Sequence, residues 1–121
     1  MNKQDLIDLC LAYCGAYEDH PFDNHAGAAD PWTVMRHSAN QKSFAYIFER
    51  NARLCINLKC DPLESQYLRQ NFADIEPAYH MNKVHWNTIA VDGDVVPGEL
   101  QRLIEASYDL TKPKTPKAPK K

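Results

Sequence analysis

The sequence predicts an α+β domain of two layers, in which helices pack on one face of an antiparallel sheet. Apolar and polar residues alternate with a period of two in residues 43–49 and 54–59, which is the spacing of half-buried strands. A short turn around residues 50–52 separates these stretches, so the two strands are expected to pair as antiparallel neighbours. Apolar residues recur at steps of three and four near both ends of residues 1–111, as in amphipathic helices.

The first helix is predicted over residues 3–17 and is followed by a loop over residues 18–31. Asp5 lies in the first turn of the helix, where the helix dipole favours acids. Pro21 and Pro31 mark the loop, which has no sustained hydrophobic period. The apolar face of the helix carries Leu6, Cys10, Tyr13, Cys14 and Tyr17.

Three consecutive strands are predicted over residues 32–37, 43–49 and 54–59, and their short connections indicate an antiparallel meander. A second helix is predicted to start after Asp61, which can cap it, with Pro62 at the first helical position. This helix is expected to run to about residue 71. Its inward-facing residues are predicted to be Leu63, Tyr67 and Leu68.

Two further strands are predicted over residues 77–81 and 86–91, and a last helix opens at Pro97. The predicted order is therefore α-β-β-β-α-β-β-α. Strands in hairpin order with helices between the groups favour a sheet that has its helices on one face. The other face is expected to be partly open to water or to a partner.

The charge is distributed unevenly along the chain. Residues 1–111 hold 9 of the 14 lysines and arginines and all 16 acids, a formal net charge of −7. Residues 112–121 form a Lys/Pro-rich tail that cannot bury a core and is predicted to be disordered. We therefore expect a single domain over residues 1–111, followed by the tail. The acidic domain disfavours ordinary duplex-DNA binding, which depends mainly on cations placed against phosphates.

The composition is that of an ordinary globular protein, with 44% hydrophobic and 25% charged residues. No apolar run approaches the roughly 20 residues that span a bilayer, so no membrane role is expected. The N-terminal residues carry acids where a signal peptide would not, so we expect a cytoplasmic protein. The four cysteines are then expected to be reduced thiols.

Six short blocks of the sequence resemble the YjbR/MmcQ-like family of small bacterial proteins: FAYIF, INLKCDP, LR, PAYHMNKVHWNTI, DG and SYDL. The resemblance covers most of residues 1–111, and its most specific block is HMNKVHWNT at residues 80–88. It implies a two-layer α/β fold related to secretion-chaperone-like folds. The family is commonly described as DNA-binding, by analogy of its sheet to a double-wing motif, so the resemblance implies DNA as a partner.

A candidate binding surface is predicted on the sheet face without helices. Strand alternation turns Asn57 and Lys59 away from the apolar residues of their strand. Lysines suit phosphates or a carboxylate, and the rings of Tyr79 and Trp86 suit a base or a partner's pocket. The alternative is that Trp86 belongs to the core and that the Asn and His side chains satisfy backbone groups. The predicted surface comprises Asn57, Lys59, Tyr79, His80, Asn82, Lys83, His85, Trp86 and Asn87.

Nothing in the sequence favours catalysis. It contains no glycine-rich phosphate loop and no nucleophile elbow. His80 and His85 lack further donors at a recognised metal-ligand spacing, and Cys60 has no evident catalytic partner. We therefore expect no catalytic residue, no metal and no cofactor.

Two functions fit the sequence. The first is a non-enzymatic nucleic-acid-binding protein that uses the open sheet face. The alternative is a protein-interaction or homo-oligomeric module with no nucleic-acid role, which suits the acidic domain because interfaces accept aromatic and neutral polar groups.

Overall fold

The computed structural model describes residues 1–21, 32–79 and 81–113. Within these ranges the elements are α1 (Lys3–Leu11), β1 (Ala16–Asp19), β2 (Thr33–His37), β3 (Ser43–Arg50), β4 (Arg53–Lys59), α2 (Pro62–Asn71), β5 (Ile75–Pro77), β6 (Trp86–Ala90) and α3 (Pro97–Thr111). The strands form one antiparallel sheet in the order β1-β2-β3-β4-β6-β5. Of the predicted tail over residues 112–121, residues 114–121 lie outside the described part of the chain.

The core lies between the three helices and one face of the sheet, and the predicted fold class is confirmed. Ile47, Ile56 and Ile89 lie in register across β3, β4 and β6 and are all buried. Each helix adds a fully or almost fully buried residue to this layer: Leu6 from α1, Leu68 from α2 and Ile104 from α3. Burial of this apolar layer supplies the main stabilisation of the fold.

The N-terminal region has one strand more than predicted. α1 ends at Leu11 rather than near residue 17, and β1 then pairs with β2 at the edge of the sheet. Gly15 has a φ of +74°, a left-handed conformation that glycine adopts without steric cost and that interrupts the helical turns. The Arg36 Nε donates to a carboxylate oxygen of Asp19 at 2.7 Å, which joins the two strands.

α2 begins at its predicted cap, but it presents a different face to the sheet. Leu68 is buried as expected, whereas Leu63 and Tyr67 are 78% and 61% exposed, so their predicted inward orientation is wrong. Ser65 is turned inward instead, because its hydroxyl bonds to the buried amide of Asn87 at 3.2 Å. A buried polar group needs a partner, and this need fixes the rotation of the helix.

Arg69 of α2 holds the chain that enters β6. Its Nε donates to Asn87 Oδ1 at 2.7 Å, and its Nη2 donates to the carbonyl oxygens of Lys83 and of Trp86. The planar guanidinium therefore satisfies three acceptors from one short segment. This arrangement fixes the segment against α2 on the helix side of the sheet.

We expect Arg69→Lys to lower the free energy of unfolding by about 1.5–3 kcal/mol, because one ammonium group cannot reach the three acceptors that the planar guanidinium bonds. Arg102→Lys is the matched control. Arg102 is exposed and pairs with Glu64 and Glu99 at the surface, so its replacement should cost about 0–1 kcal/mol. Urea unfolding of both variants measures the difference, and equal losses would show that the Arg69 contacts do not stabilise the fold.

Gly93 lies in the turn after β6, against the side chain of Asp74. The Asp74 carboxylate accepts from the Asp94 backbone N–H at 3.0 Å and from Arg53 at 2.9 Å. The Arg53 guanidinium and the Asp94 amide hold the pKa of Asp74 below its usual value. A Cβ on Gly93 would lie 1.9 Å from Asp74 Oδ2, so any larger residue must displace this carboxylate.

Gly93→Ala should therefore lower the free energy of unfolding by about 1–3 kcal/mol, the usual cost of overpacking at a tight contact. Gly98→Ala is the control, since an added Cβ there meets nothing within 4 Å. Gly98 lies in the first turn of α3, so alanine there should be neutral or slightly stabilising. Thermal unfolding of the two variants makes the comparison, and a neutral Gly93→Ala would refute the steric argument.

Candidate functional site

The outer face is the face of the sheet that turns away from the helices. Strand alternation and register determine which side chains it carries. Across the central strands the paired positions are Tyr46 with Asn57, Phe48 with Cys55, Asn57 with Thr88, and Lys59 with Trp86. The outer face is therefore lined largely by rings, amide and hydroxyl groups, and a lysine at one end.

Five rings form what we call the aromatic cluster: Trp32, Tyr46, Phe48, Tyr79 and Trp86. Trp32 stacks on the buried ring of Phe48 with the two ring centroids 4.2 Å apart. Tyr79 also stacks on Phe48, with centroids 5.9 Å apart. Tyr46 meets Trp86 edge to face at 5.6 Å. Trp86 is half-buried and Tyr79 is 37% exposed, so part of both rings is accessible to a ligand.

Tyr79 is placed over the outer face by a buried polar network. The Asn57 amide is fully buried, and its Nδ2 donates to the Tyr79 carbonyl oxygen at 3.1 Å. The Thr88 hydroxyl donates to Asn57 Oδ1 and accepts from the Tyr79 backbone N–H. The strand predicted over residues 77–81 is instead β5 over Ile75–Pro77, because the backbone of Tyr79 bonds to side chains of the outer face instead of a neighbouring strand.

Two cations accompany the accessible rings. Lys59 is half-buried in register with Trp86, and within the described ranges no carboxylate lies at ion-pair distance from it. The Arg50 guanidinium lies 4.6 Å from the centroid of the Tyr79 ring, a cation–π contact, and 3.7 Å from the carboxylate of Glu76. Positive charge is thus available next to aromatic surface.

The connection between β5 and β6 is held by its own side chains. Asn82 Oδ1 accepts from the backbone N–H groups of Val84 and His85, at 2.9 and 3.4 Å. The Lys83 Nζ donates to the Ala78 carbonyl oxygen at 3.0 Å, which leaves the exposed ammonium group with further donors. The side chain of Asn82 therefore serves the turn.

The structure brings together three of the predicted site residues. Lys59, Tyr79 and Trp86 lie on the outer face, and Asn57 lies beneath them as a buried support. The buried Asn57 amide bonds to Tyr79 through Nδ2 and to Thr88 through Oδ1, so it is not available to a ligand.

The other predicted residues lie elsewhere. Asn87 faces α2 on the helix side, where it is buried against Arg69, so it does not share the predicted surface. Asn82, Lys83 and His85 are exposed in the connection at the end of the sheet. His80 lies outside the described residues.

The remaining members of the outer face were not among the predicted site residues. Tyr46, Phe48 and Arg50 share one face of β3 through simple alternation, and β4 joins them once the hairpin register is known. The alternation is visible in FAYIFER, but the register is not. Trp32 precedes β2, and its stacking on Phe48 depends on tertiary structure.

Three cysteines of the described part of the chain are buried free thiols. Burial raises the pKa of Cys10 to about 12 and also raises the pKa values of Cys55 and Cys60, which disfavours their thiolate forms. Among the described residues, no group of three or more His, Cys, Asp and Glu side chains is arranged to hold a metal ion. The helices within these ranges are too short or too polar to cross a membrane.

Two relatives of similar sequence are described as uncharacterised proteins. The chain is 30% identical to the uncharacterised protein YjbR of Escherichia coli, over 89% of this chain and 85% of the relative. It is 31% identical to the uncharacterised protein YyaQ of Bacillus subtilis, over 93% of this chain and 99% of the relative.

Solved structures agree with this relationship. A crystal structure of a Pseudomonas syringae protein superposes with a TM-score of 0.80 at 34% identity, covering 93% of this chain and all of that chain. A Deinococcus radiodurans protein superposes with a TM-score of 0.75 at 31% identity, covering 88% of this chain and 75% of that chain. The family model YjbR matches residues 11–110, and the chain therefore belongs to the YjbR family.

Proposed function

We propose that this protein is a non-enzymatic nucleic-acid-binding protein, with DNA as the expected ligand, and that it binds through the outer face. The observation that carries the proposal is the pairing of Lys59 with Trp86 on that face. The ring offers a surface for stacking and the ammonium group offers a contact to phosphate. Tyr79 and Arg50 extend the same combination across the sheet.

The acidic charge of the domain is compatible with this proposal because few acids lie next to Lys59 and Trp86. The outer face of the central strands β3, β4 and β6 carries no carboxylate, and Glu76 of β5, in register with Thr88, is paired with Arg50 at 3.7 Å. The helices carry many of the acids: Asp5, Asp8, Glu64, Glu99, Glu105 and Asp109. A phosphate near Lys59 is therefore on the opposite side of the sheet from these charges, and the Debye length of about 8 Å at physiological salt limits their repulsion.

The same aromatic surface would also suit a protein partner or a second copy of this chain. Aromatic residues are enriched at the cores of protein interfaces, and neutral polar groups are tolerated there. This is our second candidate function. Light scattering during gel filtration separates it from the first, since a self-associating face would give a dimer in the absence of nucleic acid.

We expect Lys59→Ala to weaken binding of a labelled DNA oligonucleotide by about 3- to 10-fold at low salt, because one phosphate contact is lost. Lys3→Ala is the matched control: it removes the same charge from α1 on the other side of the sheet and should change affinity by less than about twofold. Fluorescence anisotropy at about 50 and 200 mM salt measures both affinities and their salt dependence.

The full-length chain and a chain ending at Thr111 must both be measured in this assay. Binding that persists without the tail supports the outer face as the site. Loss of all binding on truncation would assign it to the lysines of the tail, and absence of binding by the full-length chain at low salt would refute the proposed function.

A further inference from the structure

The cations on α2 and α3 are already engaged in the described part of the molecule. Arg69 is bound to Asn87 and to backbone carbonyl groups, and Arg102 is bound to Glu64 and Glu99. Proteins that read duplex DNA with a helix place it in the major groove and surround it with phosphate contacts. Neither of these two helices presents the cluster of free cations that such a complex requires.

The outer face offers ring surface instead. Tyr79 and Trp86 are each partly accessible, and each packs against another aromatic ring. Tyr79 stacks on Phe48, and Trp86 meets Tyr46 edge to face. In a duplex the faces of the bases are covered by stacking, so a protein ring cannot stack on them without unstacking the bases. In a single strand the base faces can leave the stack and lie on aromatic side chains.

We infer that the ligand of this site is single-stranded nucleic acid, with bases stacked on Trp86 and Tyr79 and phosphates beside Lys59 and Lys83. This inference rests on the proposed function and specifies its ligand. The cations of the site lie at its margin, at the end of β4 and in the connection before β6. They are therefore placed to follow a backbone while the rings hold the bases.

The backbone of the site is held by hydrogen bonds where the strand would bind. The backbone N–H and carbonyl of Tyr79 are both bonded to buried side chains, those of Thr88 and Asn57. The Trp86 carbonyl is held by Arg69, and its ring packs against Tyr46. A preorganised surface loses little conformational freedom on binding, which favours affinity from a small contact.

The first test compares three probes with the full-length protein at one salt concentration: an oligothymidine of about 12 nucleotides, a duplex of the same length, and an abasic strand of that length. We expect the oligothymidine to bind at least about tenfold more tightly than the other two, because only it offers accessible bases. The abasic strand keeps the phosphates, so its weak binding would identify stacking as the main interaction.

The second test uses Tyr79→Leu with Tyr67→Leu as the matched control. Tyr67 is an exposed tyrosine of α2, and its replacement should leave binding unchanged. Tyr79→Leu keeps an apolar side chain but removes the ring, and should weaken oligothymidine binding by about 5- to 100-fold. Quenching of tryptophan fluorescence in the wild-type protein by the same probe provides a second readout at the site, and far-ultraviolet circular dichroism checks that the variants are folded.

The outcomes distinguish failure of the single-strand inference from failure of the proposed function. Equal or tighter binding of the duplex, or equal binding of the abasic strand, would overturn the single-strand inference and leave the proposed function in place. An unchanged affinity of Tyr79→Leu would also overturn the inference. Absence of binding to all three probes at low salt would refute the proposed function itself.

Discussion

The Asn57 side chain lies in the centre of the sheet without exposure to solvent, and both ends of its amide are bonded. It donates to the carbonyl of Tyr79 and accepts from the hydroxyl of Thr88, which in turn accepts from the backbone N–H of Tyr79. Removal of any one partner would leave buried polar groups unsatisfied, at a cost of about 1–3 kcal/mol each. The position of Tyr79, and with it the shape of the outer face, depends on this network.

A second network of hydrogen bonds lies on the helix side of β6, the strand that carries Thr88. In β6, Thr88 faces the outer side and the preceding residue, Asn87, faces α2, where Arg69 and Ser65 bind its amide. Alternation thus gives each sheet face one buried polar anchor at adjacent positions. Trp86 precedes these two residues in the chain, and its carbonyl is held by Arg69 while its ring packs against Tyr46. The segment HMNKVHWNT therefore fixes the end of the sheet and positions the candidate site.

The sequence predicts the layers and most of the elements because period-two and helical patterns report burial directly. It does not predict the end of α1, since the turn at Gly15 and the pairing of β1 depend on a neighbouring strand. It also does not show which polar residues of α2 turn inward: Ser65 does so only because Asn87 requires a partner. For the site, alternation correctly separates Asn57 from the apolar face of its strand. Burial of its amide depends on Tyr79, which is 22 residues away, and this contact leaves no local signal.

The amides of the HMNKVHWNT segment bear on what kind of recognition the site can provide. Asn and Gln side chains recognise bases by bonding to their edges. Here Asn82 bonds to the turn, Asn87 bonds to α2, and Asn57 on β4 bonds to the chain that crosses the outer face. Asn57 and Asn87 use both ends of their amides within the protein, and Asn82 uses its acceptor, so ring faces, a few cations and the exposed Asn82 Nδ2 group remain for a ligand. Every base has a face that can stack, and every nucleotide has a phosphate, so under the proposed function these remaining groups would contact features that all nucleic acid sequences share. The amides of this segment therefore act mainly on the fold, and the proposed recognition is left to Lys59, Lys83, Tyr79 and Trp86.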